Sequence, residues 1–267
     1  MVKNVKNIQV KVYQLDLERH YHEQNSEIDE TQDLSYLQPN SSYTYEVKTE
    51  GPFIISYHEV IVEGIGKNRG VWIVELEGEG IISRAFIRKG AIGNHSTMNS
   101  VGHEFSFFDE EGNRIKDLDI WMSGKKHHVV DKFNIPYGTE QKQLELILVK
   151  DSYAEKIYTV INPEEYNLNI GYLYSPESFI VGNKARVALH PRLTLAYDTE
   201  KKVSLKLLDK VSISVSLKNA QGNDTNLSFD NVKFKAKEDY ILEFPIQGYV
   251  SSIEIIVNAT VNKYNGK

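Results

Sequence analysis

The chain has 267 residues, with 31 Lys plus Arg against 37 Asp plus Glu and a net charge of −6, a mild acidity at odds with a protein that tracks nucleic-acid phosphates. It contains no cysteine, which removes disulfides, thiolate nucleophiles, Fe–S clusters and Cys-ligated zinc. No run approaches the roughly 18 apolar residues of a transmembrane helix, and Met1–Asn7 is basic without the apolar core of a signal peptide.

Taken in chain order, the elements are short and mostly of period two. Ile8, Val10 and Val12 alternate with Gln9 and Lys11, the pattern of a strand with one buried face. Residues 15–23 read as a short helix. Phe53–Val62, Val71–Leu76 and Ile81–Ile87 read as strands, the last two joined by the hairpin turn Glu77-Gly78-Glu79-Gly80. Glu104–Phe108 is a further strand, followed by the turn Glu110-Glu111-Gly112-Asn113. Leu144, Leu146 and Leu148 alternate more weakly, because Ile147 and Val149 are apolar too. Pro163–Tyr166 reads as one helical turn. In Lys210–Lys218 every odd position is apolar and every even one polar, and the turn Gln221-Gly222-Asn223-Asp224 follows. Tyr240–Phe244 and Ile253–Val257 complete the set, with Ile256 interrupting the polar face of the latter. Roughly sixteen short strands with almost no helix define an all-β chain of antiparallel sandwiches. The length accommodates two or three small domains. Boundaries are expected where the composition turns polar and Gly-rich, at 90–97 and 162–167. They give β-sandwich domains at 1–92, 97–161 and 162–267.

Several of these segments together resemble the domains of large bacterial α2-macroglobulin-like proteins. They are Val10–Glu18, Gly70–Leu76 with Ser83–Gly90, Phe105–Asn113 leading into Leu118–Met122, and Asp131–Tyr137. Asn134 stands where that family usually has Gly. The likeness covers about residues 8–160 and more faintly 177–208. It implies a tandem array of macroglobulin-like or immunoglobulin-like sandwiches in a large envelope or secreted protein. It implies no catalytic residue, because the family's thioester needs a cysteine.

His22-Glu23, His58-Glu59 and His103-Glu104 each begin like a zincin motif, but Ser26, Val62 and Phe107 stand where the second His belongs. His20 and His22 would chelate a metal only on a strand, where alternate residues share a face. His127 and His128 would point to opposite faces of a strand. Gly64-Ile65-Gly66-Lys67-Asn68 lacks the Ser or Thr of a phosphate loop, and no Gly-x-Ser-x-Gly elbow exists. Glu27, Asp29, Glu30 and Asp33, and Asp109, Glu110 and Glu111, are acidic enough to interest calcium, which needs several converging oxygens. Tyr36, Tyr43 and Tyr45, or Tyr166, Tyr172 and Tyr174, would suit a sugar-stacking face. Sequons at Asn40, Asn94, Asn223, Asn226 and Asn258 matter only under eukaryotic secretion.

No catalytic, cofactor-binding or metal-binding residue is assigned, and no cofactor is expected. The reading is a non-catalytic structural or interaction module, not an enzyme. Its partners would be another protein or further domains of the same polypeptide, with neither nucleic acid nor a membrane span. The alternative is a carbohydrate-binding module of a larger enzyme or adhesin. The resemblance places it in the cell envelope or outside the cell, and the lack of cysteine is equally compatible with the cytoplasm.

Overall fold

A computed structural model describes every residue except 25, 49, 50, 52 and 264–267. The chain divides into two compact units. The first is Met1–Thr97, His103–Ile135 and Lys142–Ile161, and the second is Met98–Gly102, Pro136–Gln141 and Asn162–Lys267.

The first unit begins with β1 (Asn7–Leu15), in which Ile8, Val10 and Val12 are buried on one face, as the alternation requires, and Tyr13 and Leu15 on the other. Asp16 stops the strand and caps α1 (Leu17–Glu23), its carboxylate accepting from the Arg19 N–H at 3.0 Å. Leu17 and Tyr21, four residues apart on one helix face, are both buried, and α1 packs on β11 (Lys142–Lys150) and β12 (Tyr153–Ile161). With β2 (Ser41–Glu46), β3 (Gly70–Gly78) and β4 (Ile81–Lys89), β1 forms an antiparallel sheet in the order β2-β1-β3-β4. The β3–β4 turn has both central residues at positive φ, Glu79 at 50° and Gly80 at 78°. That twist matches a right-handed strand pair.

Between β2 and β3, residues 53–62 form a loop rather than the predicted strand, with one bridge between Ser56 and Val2. Val60 and Val62 pack against Val10, Val12 and Trp72, so the apolar residues of this segment cover a sheet face instead of joining a ladder. Phe53, Tyr57 and Ile61 stand exposed.

The chain continues through β5 (Gly93–Asn99), β6 (Gly102–Phe108), β7 (Arg114–Ile115), β8 (Asp117–Met122), β9 (Lys125–Val130) and β10 (Phe133–Ile135) to β11 and β12. These make two sheets, β10-β6-β5 with β7 beside β6, and β12-β11-β8-β9. Both faces of β11 are buried, Leu146 and Leu148 on one and Ile147 and Val149 on the other, which accounts for its weak alternation. A single cluster joins Tyr13, Leu17 and Ile73 to Phe105, Ile120, Leu148 and Tyr153. Ile92, inside the stretch expected to be a boundary, is buried in that cluster, and β5 takes up the rest of the stretch from Gly93.

The second unit contains β13 (Tyr166–Tyr174), a 3-10 turn (Pro176–Phe179), β14 (Lys184–Leu195), β15 (Asp198–Val203), β16 (Leu208–Lys218), β17 (Asp224–Phe229), β18 (Tyr240–Pro245) and β19 (Ser252–Val261). One sheet runs β13-β14-β15, with β18 also on β14; the other runs β17-β16-β19. β18 takes the Lys184–Leu189 part of β14 and β15 the Leu193–Leu195 part. Pro163–Tyr166 makes no helical turn: Pro163 bridges Gly138 and Tyr166 opens β13. In β16 the predicted alternation is realised. Val211, Ile213, Val215 and Leu217 are buried with Val187, Leu189, Leu242 and Phe244, while Ser214 faces solvent. The chain is thus all-β, built from antiparallel sheets, as the sequence predicts. Among the described residues no helix is long and apolar enough to cross a membrane.

Candidate interaction surfaces

The polar residues singled out in the sequence are dispersed, and most hold the fold in place. His20 and His22 lie on α1, not on a strand, and their rings diverge. His20 donates from Nε2 to the Ser26 carbonyl at 3.0 Å, and His22 stands edge-on to Trp121 with centroids 4.4 Å apart. His58 is held by Ser56 Oγ at 2.8 Å, and His103 is buried. On β9, His127 packs on Phe133 while His128 lies 2.9 Å from Asp119.

The acidic clusters serve as turn anchors. Asp29 accepts from the Thr31 hydroxyl and N–H, and Asp33 from the Ser35 N–H. These bonds hold both carboxylates below their usual pKa, chiefly through the Thr31 hydroxyl for Asp29 and the Ser35 N–H for Asp33. Asp109 accepts from the N–H groups of Glu111 and Asn113, and Arg69 reaches Asp109 at 3.2 Å and Glu110 at 3.1 Å. The Gly-rich loop before β3 therefore delivers its arginine to a neighbouring acidic turn. Among the described residues no group of three or more His, Asp or Glu side chains could hold a metal ion.

Two further networks were not anticipated, because their members are far apart in sequence. Arg88 on β4 donates from Nε to the Tyr153 phenol at 2.8 Å and from Nη2 to Glu155 at 2.8 Å. The phenol in turn donates to Glu155 at 2.7 Å. Burial, then the bond to Glu155, pushes the Tyr153 phenol pKa well above its usual value. Glu75 is buried between Arg84 at 2.9 Å and Lys11 at 3.5 Å.

The tyrosines separate into different roles. Tyr43 donates to the Ile61 carbonyl at 2.9 Å and Tyr45 lies against His58, while Tyr36 is exposed elsewhere. Tyr166 donates to buried Glu164 at 2.6 Å. Tyr172 and Tyr174 share a face of β13, with rings stacked at 6.2 Å and 18°. They line a groove of about 680 Å³ in the second unit, opposite Ile253, Ile255 and Val257 of β19 and floored by Val187 and Leu189. This groove is the largest concave apolar surface among the cavities described. Ile256, which spoils the polar face of an otherwise alternating strand, lies on the other face of β19 and takes no part in the groove.

The family models that match the chain accord with this architecture. Residues 8–90 match the family model of the AbpF first immunoglobulin-like domain, and residues 175–267 match that of the AbpF third immunoglobulin-like domain. Actin-binding protein F of Dictyostelium discoideum aligns at 22% identity over 222 residues, which are 80% of this chain and 9% of that protein. The solved structure of surface layer protein SbsC, domains 4–9, aligns over 71% of this chain and 35% of its own at 10% identity, with a TM-score of 0.19. The sequence resemblance to macroglobulin-like proteins thus holds at the coarser level of the sandwich. The family matches are to immunoglobulin-like domains of an actin-binding protein, not to bacterial macroglobulins, because alternating strands and hairpin turns are common to both. The chain carries immunoglobulin-like β-sandwich domains in tandem.

Proposed function

We propose that this chain is a non-catalytic interaction module, a run of immunoglobulin-like sandwiches that spaces and docks protein partners within a longer polypeptide. The observation that carries this reading is the order of the family matches, a first domain at 8–90 and a third at 175–267 in one chain. In that order the stretch between the matches, which carries the sheets β10-β6-β5 and β12-β11-β8-β9, would stand for the second domain. The polar clusters support the absence of catalysis, since their carboxylates and histidines are engaged in closing turns and tying strands.

Actin is the partner to test first, because the aligned Dictyostelium protein carries that name. The experiment is co-sedimentation of the 267-residue chain with actin filaments over a range of filament concentrations. Saturable pelleting is expected; folded chain left in the supernatant at every concentration overturns the actin reading. Turnover of a glycoside, peptide or ester substrate that a single carboxylate substitution abolishes would overturn the non-catalytic one. A second reading, carbohydrate binding, has the stacked pair Tyr172 and Tyr174 in its favour, and a glycan array tests it.

A further inference from the structure

We propose that the groove between β13 and β19 seats one extended segment of a partner polypeptide, added as a strand along the free edge of β19. The segment would carry apolar side chains at alternate positions and a positive charge on its outward face. This deepens the reading of the chain as a protein-binding module and rests on it.

The sandwich of the second unit is open on one side. A small immunoglobulin-type sandwich encloses its core with seven strands. Here β15 and β18 succeed one another along the same edge of β14, so six strands flank the core proper. Among the described residues β19 pairs with β16 alone and β13 with β14 alone. Both strands bordering the groove therefore present unpaired main-chain N–H and C=O groups, the template on which an added strand forms.

Burial marks the same side as uncovered. On β16, Ile213 and Val215 are 0% exposed. Their cross-strand partners on β19, Val257 and Ile255, face the same core yet remain only half-buried. Across the groove Tyr172 is 70% exposed. The open stretch of β19, Ile253–Val257, spans about 17 Å at the rise of an antiparallel strand, room for a segment of five or six residues. Alternate side chains of that segment would enter between Tyr172 and Ile255, and the others would face out beside Glu254.

The charge at the groove selects among such segments. Glu254 is the one charged residue lining it. Glu177 lies in the 3-10 turn that brings Phe179 to its floor, its carboxylate accepting from the Ser175 hydroxyl. An acidic rim with no lining cation favours Lys or Arg on the incoming strand. A second copy of this chain is the poorer occupant, because pairing β19 with its own copy brings one Glu254 against another.

The test titrates the 267-residue chain with labelled ten-residue peptides and follows anisotropy and amide exchange. The probe peptide alternates Val with Thr and carries one outward Lys. Saturable binding is expected, with slowed exchange at 253–257. A central Pro, which removes a ladder donor, should weaken binding at least tenfold. Exchanging Lys for Glu should weaken it several-fold. Tyr172→Ala, at an exposed position that leaves the core intact, should weaken it about tenfold, with Ile255→Lys as the stronger block. The proposal is overturned by no saturable binding, by equal affinity for the Pro peptide, or by unchanged affinity in Tyr172→Ala. Self-association that protects 253–257 without peptide, or binding of glycans alone, also overturns it. Filament co-sedimentation that persists in Ile255→Lys separates the two readings, since the chain then still binds protein while the groove plays no part.

Discussion

Arg88 and Tyr153 stand 65 residues apart in the chain and meet at 2.8 Å, guanidinium Nε to phenolic oxygen. The contact pins β4 to β12 in the first unit, and Glu155 closes it by accepting from both. The ring is fully buried, and the guanidinium lies 5.6 Å from its centroid. Tyr153→Phe keeps the ring and deletes the hydroxyl. It is expected to destabilise the first unit by about 1–3 kcal/mol, the range for a buried hydrogen bond involving charged partners. Urea unfolding of the variant measures it, and a double-mutant cycle with Arg88→Leu gives the coupling of the pair.

Alkaline titration reads the same burial. The phenol of Tyr137 is pushed up to about 12 by burial and then by the charges of Glu164 and Asp198. Tyr153 and Tyr166 are also raised, burial first and a bonded carboxylate second. In the unfolded chain each ionises near the usual value of about 10. The native state thus retains protons that the unfolded state has released. This stabilisation is fully present below about pH 10 and is lost as the pH rises through the native values. Phenolate absorbance is expected to appear late for these three among the 16 tyrosines, and chemical stability to fall above pH 10.

The two faces of β16 predict opposite outcomes for neighbouring substitutions. Ile213→Ala empties a fully buried site and is expected to cost about 2–5 kcal/mol. Ser214→Ala, on the exposed face, is expected to stay within about 0.5 kcal/mol. Equal shifts in thermal unfolding would contradict the register of this strand.

Gly80 isolates a backbone term. A Cβ built there meets nothing within 4 Å, and its φ is 78°. Gly80→Ala is therefore expected to destabilise the β3–β4 hairpin by about 1–2 kcal/mol through left-handed strain alone. Gly80→Asn should recover much of that loss, since Asn tolerates the left-handed region. Thermal melts of the two variants decide it.

Proteolysis separates the loop from the expected boundary. Phe53 and Tyr57 are exposed in a segment outside any ladder, whereas Ile92 is buried and Gly93–Thr97 is strand. Limited proteolysis with a broad-specificity protease such as proteinase K is expected to cut around Phe53 or Tyr57 before anything within 90–97. Early cleavage at 90–97 would instead mark that stretch as a linker between domains.

These contrasts show which parts of the fold were legible in the sequence. Period-two patterns bounded by Gly turns located β16 and the β3–β4 hairpin, because one buried face and one wet face leave an alternating record. β11 blurred, since α1 covers what would otherwise be its wet face. Residues 53–62 misled, because Val60 and Val62 alternate as they would in a strand yet bury by lying across a sheet. The groove left almost no mark, as no local rule states which edge of a sandwich goes uncovered. Arg88, Tyr153 and Glu155 were invisible for the same reason: a three-residue network across 67 positions follows from topology, not from spacing.

The shared cluster linking Ile73 to Phe105 and Leu148 has a mechanical consequence. Two sandwiches joined by an open tether yield to tension by swinging at the tether and then rupturing one at a time. In the first unit the chain passes from β4 into β5 through Ile92, a residue of the core itself. A load applied between residues 8 and 161 therefore finds no slack to take up there. It strains the common apolar interior from the outset, and this part of the chain transmits force as one stiff link.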